Sequence, residues 1–248
     1  MKVIYIMWLR QLKRYFRSKS RVIGSLGQPL LFLIALGFGF GPIYEKAGGG
    51  NYLNFIAPGI VGMSILFMAV FSGIEIIWDR QFGFLKETLV APVSRFTIMV
   101  GRTVGGATVA IFQGIIVFVL SIFLGFHPHI TAIPLVLIFM ILISLFFTAF
   151  GTAIASLLED MHSFQLIMNF VIMPTFFLSG ALFPLTGLPK GIAVITSLNP
   201  LSYGIDGLRG ALVAGSSHFG LGLDLGVLSL TTLAILALGS YLFSKIEV

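Results

Sequence analysis

Six long apolar runs divide this chain, too many for a water-soluble fold to bury. They cover residues 22–40, 55–77, 103–126, 130–158, 164–182 and 225–243. A helix of about 20 residues crosses a hydrocarbon core of about 30 Å, and each run approaches or exceeds that length. Glycine and proline inside such runs are tolerated, because neighbouring helices satisfy the freed backbone groups. Composition agrees. Of 248 residues, 57% are hydrophobic and only 10% are charged, against about 25% charged in a soluble domain. The expectation is an all-α integral membrane protein, one domain over residues 1–248, with six transmembrane helices.

The basic residues orient it. Lys2, Arg10, Lys13, Arg14, Arg17, Lys19 and Arg21 precede the first run. Arg80, Lys86, Arg95 and Arg102 lie around the connection between the second and third runs, and Lys245 is in the tail. The other side holds Lys46, Lys190 and Arg209. Twelve against three, by the positive-inside rule, places both termini in the cytoplasm. The net charge of +6 therefore points to an anionic membrane surface and not to nucleic acid. The first run is longer than a signal-peptide core and no A-x-A pattern follows it, so it is expected to be retained. A multi-pass membrane protein with both termini in the cytoplasm is the resulting reading.

Residues 1–21 are not a span. On a helical wheel Ile4, Trp8, Leu12 and Tyr15 share one side, while Arg10, Lys13, Arg14, Arg17 and Arg21 gather opposite. That pattern suits an amphipathic helix at the cytoplasmic interface, or a basic flank that only sets topology. Spans one to five then occupy residues 22–182. Residues 183–224 are too apolar for a solvated loop and too broken for a span, and are expected as external re-entrant helices. Span six covers 225–243, and 244–248 form a cytoplasmic tail.

Chemistry is sparse. No lysine follows a glycine, so the G-x-x-x-x-G-K-[ST] phosphate loop is absent and the chain cannot hydrolyse nucleotide through one. There is no H-E-x-x-H and no cysteine, which excludes thiolate metal sites and disulfides. His127 and His129 flank Pro128 without a completing ligand. No catalytic residue and no metal site are assigned. Glu75, at the end of the second run, is the ionisable group nearest a pathway, and Gln113 and Asn169 are the deeper polar residues. Interhelical hydrogen bonding accounts for the last two, with a pathway role as the alternative. Phe67, Phe112, Phe176 and Phe177 are candidates for an apolar lining.

Between the second and third runs the sequence changes character. Trp78, Phe82, Leu85 and Leu89 follow i, i+4, i+7, i+11, one face of a helix running to Ala91, with Asp79, Arg80, Lys86 and Glu87 around it and Pro92 as its stop. Such an element is either an interfacial connector or a surface for a cytoplasmic partner. The pattern Asp79-Arg80-x-x-Gly83-x-Leu85-Lys86-Glu87, followed by Ala91-Pro92-Val93-Ser94-Arg95, resembles the first cytoplasmic loop of type-2 ABC exporter permeases, nearer their drug- and lipid-exporting branch. Gln28-Pro29 with Gly37 and Gly39, Tyr52-x-x-Phe55-x-x-Pro58-Gly59, Gly180 to Pro184, and Asn199-Pro200 through Arg209 resemble other parts of that family in order. Phe84 departs from it, standing where a small polar residue is expected.

The resemblance implies a transmembrane subunit of a prokaryotic plasma membrane, not itself an enzyme, that pairs with a second permease copy, identical or different, and with two separate ATPase subunits. ATP and Mg would belong to the ATPase, with no cofactor in this chain. Asp79, Arg80, Gln81, Phe82, Gly83, Phe84, Leu85, Lys86 and Glu87 would form a coupling helix. Trp8, Arg10, Lys13, Arg14 and Arg17 would belong to the interface helix. Glu159, Asp160 and His162 would make a second cytoplasmic contact. The cargo would be hydrophobic or amphipathic: a drug, a lipid or a lipid-linked molecule. Rival readings are a polysaccharide or glycolipid exporter, an ion-coupled secondary transporter or channel, an intramembrane enzyme, and a sensor permease. The lack of a chain of buried carboxylates weighs against ion coupling.

Overall fold

Long apolar runs in lipid must satisfy their backbone groups internally, and the helix does so residue by residue. The computed structural model describes residues 2–48, 50–84, 93–213 and 215–245. Among the described residues every regular element is helical. In chain order these are α1 (Lys2–Arg17), α2 (Lys19–Lys46), α3 (Tyr52–Phe71), α4 (Ile74–Gln81), α5 (Arg95–Phe123), α6 (Ile133–Leu157), α7 (Met161–Phe177), α8 (Lys190–Leu198), α9 (Pro200–Leu212) and α10 (Leu221–Ser244).

Among the described residues, five helical stretches are long and apolar enough to cross a membrane: Val22–Lys46, Tyr52–Gln81, Arg95–Phe123, Ile130–Leu157 and Leu221–Ser244. The run at 164–182 folds as the shorter α7, whose middle, Met168–Ile172, is a π-turn.

α3 is the hub, and most of its residues are buried. It packs against α2, α5, α6 and α9. Glycines set the closest approaches. A Cβ on Gly114 of α5 would stand 2.6 Å from Ile65 of α3, and one on Gly151 of α6 would stand 2.6 Å from the Val70 carbonyl oxygen. Small residues at such crossings let membrane helices associate through backbone contact.

Polar side chains mark the helix starts. Asn51 caps α3 by accepting from Leu53 N at 2.9 Å, and Ser94 caps α5 by accepting from Thr97 N at 3.2 Å. Asn199 caps α9 through Leu201 N at 3.0 Å, with Pro200 at the first helical position. Its amide also donates to the Thr175 carbonyl at 2.7 Å, tying α9 to α7. The apolar stretch at 183–224 thus contains two ordered helices. α9 is largely buried between α3, α6 and α10, whereas α8 exposes Val194, Ile195 and Leu198. Arg209 of α9 is buried, lies 4.1 Å from the Phe55 ring and donates to the carbonyls of Gly180 and Phe55 at 2.8 and 3.3 Å.

One expectation is overturned. A single helix from Trp78 to Ala91 does not form: α4 closes at Gln81, and Gly83 adopts φ of +80°. That left-handed conformation costs other L-residues roughly 1–2 kcal/mol. The periodic pattern across Trp78 and Phe82 therefore spans a break, and its continuation at Leu85 and Leu89 lies outside the described residues.

Candidate functional site

α1 lies along α5 because its apolar stripe meets two glycines. A Cβ on Gly101 would fall 2.8 Å from Met7 Cβ, and one on Gly105 would fall 2.7 Å from Gln11 Cγ. Trp8 Nε1 donates to Thr108 Oγ1 at 3.1 Å, and Leu12 and Tyr15 are buried. The wheel side expected to be apolar is the side that faces the bundle at Trp8, Leu12 and Tyr15. Arg10 and Arg14 then reach α4, while Lys13 and Arg17 are exposed.

There they meet two buried carboxylates. Asp79 pairs with Arg102 of α5 through Oδ2 and with Arg10 through Oδ1 at 3.3 Å, and Arg14 stands 3.9 Å from the same Oδ1. Arg14 also pairs with Glu75 at 3.5 Å, its guanidinium 5.6 Å from the Trp78 ring centre. Arg102 and Asp79 side chains are each 5% exposed. Buried charge is tolerated only when closely paired. Three arginines around two carboxylates meet that condition and join α1, α4 and α5 into one unit. Arg80 extends the junction by donating to the carbonyls of Leu158 and Ser156 at 2.9 and 3.1 Å, at the end of α6.

The sequence-predicted coupling residues thus divide. Asp79 and Arg80 turn inward as anchors, while Gln81, Phe82 and Phe84 turn outward, Phe82 being 73% exposed. Leu85, Lys86 and Glu87 lie outside the described residues. Glu159 and Asp160 sit in the exposed turn between α6 and α7, and His162 is exposed in the first turn of α7. Asp160 caps α7, accepting from Ser163 N at 2.8 Å and from its hydroxyl at 2.7 Å. The backbone amide of Ser163, then its hydroxyl, hold the Asp160 carboxyl below its ordinary value.

Beside the junction is a cavity of about 570 Å³ between α2, α3 and α4, within the range of about 300–1,000 Å³ typical of ligand pockets. Phe67 and Gln113 line it, together with Ser25, Gln28, Ser64 and Trp78. Gln113 accepts from Tyr15 Oη at 3.0 Å and Ser25 Oγ at 3.1 Å, and donates to the Ser25 carbonyl at 3.0 Å. Its amide binds α1, α2 and α5 together, as interhelical bonding would have it. Phe176 stands behind the cavity, its ring centre 6.1 Å from that of Phe67. The other pathway candidates are elsewhere. Phe112 packs edge-on against Phe16 at 5.6 Å, Asn169 is exposed and accepts from Gln165 Nε2 at 3.3 Å, and Phe177 is 47% exposed. Glu75 belongs to the ionic junction. Sequence reading missed the cavity's hydroxyl-bearing wall. Single serines in apolar runs carry no periodic signal, although Gln28-Pro29 was already conspicuous.

Comparison with known proteins places this arrangement. Residues 2–213 match the family model described as ABC-2 type transporter. A protein of Cyanophora paradoxa named transport permease ycf38 is 31% identical over 215 residues, 83% of this chain and 72% of that protein. Nodulation protein J of Rhizobium leguminosarum bv. viciae is 28% identical over 226 residues, 90% of this chain and 84% of that protein. The inner membrane transport permease YadH of Escherichia coli strain K12 is 27% identical over 206 residues, 82% and 80% of the two chains.

Proposed function

The chain belongs to the ABC-2 type transporter family, and from that premise we propose that it is the transmembrane permease subunit of an ATP-driven exporter. Two copies assemble with two separate ATPase subunits that hold the ATP and Mg. The membrane is a plasma membrane, as the name of the YadH relative suggests. The chain crosses it six times, with α7 as the fifth span, both termini in the cytoplasm, and α8 and α9 re-entering from outside.

The observation that carries this reading is the junction at Asp79. It ties α1, α4 and α5 together immediately before Phe82 and Phe84, two exposed aromatic side chains on either side of a left-handed glycine. A partner that grips the 82–87 segment would move α4, and through the buried ion pairs it would move α1 and α5 as well. A nucleotide-dependent grip supplies the differential binding that any conformational switch requires. Cargo of hydrophobic or amphipathic character suits the mixed wall of the cavity beside α4.

Co-expression with candidate ATPase subunits tests it, with ATP turnover and cargo-stimulated turnover measured for wild type, Glu87→Ala and Gly83→Pro. Proline requires φ near −65° and cannot adopt the +80° of Gly83. The proposal expects a stable complex whose cargo response both changes abolish. A chain that binds no ATPase and moves solute under an ion gradient alone would overturn it.

A further inference from the structure

At the turn from α1 to α2, Arg17 and Lys19 line an open basin with Arg14, Ser18 and Ser20. Arg14 is committed to Glu75. Arg17 and Lys19 are exposed and form no ion pair among the described residues. Ser20 also lines the cavity beside α2, so the basic basin and that cavity share a wall. From Ser20 the cavity follows α2 to Pro29, a rise of about 14 Å. That is close to one leaflet of a hydrocarbon core about 30 Å thick. Its walls are mixed: Met63, Phe67, Met68 and Phe71 give it an apolar side on α3, while Ser25, Gln28, Ser64 and Gln113 place polar groups along it. The basin stands just before the candidate span that begins at Val22, at headgroup level.

We propose that this basin and cavity form one binding site for an anionic phospholipid of the bilayer. The phosphate rests on Arg17 and Lys19, and one acyl chain runs along α2 toward Gln113. The charge of the basin, its position at the membrane boundary and the one-leaflet depth of the cavity select this ligand over a soluble anion, which would leave the apolar part unfilled. The site uses the cavity whose mixed wall suits cargo in the reading above and in that respect rests on it; it does not depend on the ATPase coupling, and a quenching assay without ATPase reads it separately.

The chain supplies its own reporter. It has two tryptophans, and Trp78 lines the cavity. In a Trp8→Phe background, fluorescence is read in bilayers containing phosphatidylglycerol or phosphatidylcholine with brominated acyl chains. Brominated phosphatidylglycerol should quench Trp78 with an apparent affinity about tenfold higher than brominated phosphatidylcholine. Arg17→Gln with Lys19→Gln should abolish that preference. Gly24→Leu should protect Trp78 from both lipids, because Gly24 lines the cavity and a Cβ there meets nothing within 4 Å. Equal quenching by both lipids, a preference that survives loss of both cations, or quenching unaffected by Gly24→Leu would each overturn the proposal. Native mass spectrometry of the unmodified tryptophan pair checks it without the background change. Wild type purified from mixed bilayers should retain phosphatidylglycerol, and Gly24→Leu should not; retention by neither or by both refutes the site.

Discussion

Removing the Asp79 carboxylate would strand Arg102, whose side chain is 5% exposed. Breaking a buried pair from one side costs about 3–5 kcal/mol, because an uncompensated charge is left behind. Asp79→Ala should therefore lower the unfolding midpoint sharply in detergent. Arg10→Ala should cost within about 1 kcal/mol, since Arg10 is 42% exposed and water screens it. Replacing both members, Asp79→Leu with Arg102→Met, should recover most of the loss. Equal destabilisation by the Arg10 and Asp79 changes would show that the buried pair is not the anchor. None of this was legible locally. The sequence offers Asp79 as one charge among four around a helix, and Arg10, its partner, lies 69 residues away. Asp160 is the opposite case, since the group it caps, Ser163 N, lies only three residues on. Its carboxyl is held below 3.8 by the Ser163 amide and hydroxyl. A depressed folded value means its contribution is complete above the unfolded value and fades as pH falls through the folded one. Amide protection of Ser163 in hydrogen exchange should thus persist through the ordinary carboxylate range and decline only at more acidic pH. In Asp160→Asn, which keeps the capping oxygen, it should not follow pH.

Among elements, the seat of α1 on α5 depends on Gly101 and Gly105, one turn apart on α5. A leucine at Gly105 would drive its Cβ to within 2.8 Å of Gln11 Cβ and 3.3 Å of Trp8 Cα. The second of these is backbone and cannot swing aside. Overpacking of this kind costs about 1–3 kcal/mol, and here it falls on one interface. Gly105→Leu should raise hydrogen exchange throughout α1 while α3 and α6 stay protected. Gly39→Ala, where a Cβ meets nothing within 4 Å, should leave α1 unchanged. If α1 stays protected in Gly105→Leu, the glycine pair does not set the approach. The helices themselves were readable because each apolar run is long, and α2, α5, α6 and α10 enclose the runs expected for them within a few residues. What stayed hidden was where a run breaks. Gly83 looked like one more residue of a periodic helix, and its left-handed φ of +80° arises from how the chain leaves α4, which side-chain spacing does not encode.

For the whole molecule, the path of α7 decides the topology. It has 17 residues, about 26 Å at helical rise, just at the lower limit for crossing a core of about 30 Å. A short span is accommodated by local thinning or by polar residues reaching outward at its ends. Asp160 and Asn199 supply such ends, the first capping α7 and the second bonded to the Thr175 carbonyl near its far terminus. If α7 crosses, the turn before it and the start of α8 face opposite compartments, and the two termini share one. The absence of cysteine from the chain makes the test clean. Glu159 and Lys190 are both exposed and flank α7. In intact cells, a membrane-impermeant maleimide should label Lys190→Cys at once, and Glu159→Cys only after the membrane is opened. Ser94→Cys, before α5, should behave like Glu159→Cys. Labelling of Glu159→Cys and Lys190→Cys from the same side would mean that α7 turns back within the bilayer. The termini would then lie on opposite faces, and α1 and its arginines could not share the cytoplasmic side with the tail at Lys245.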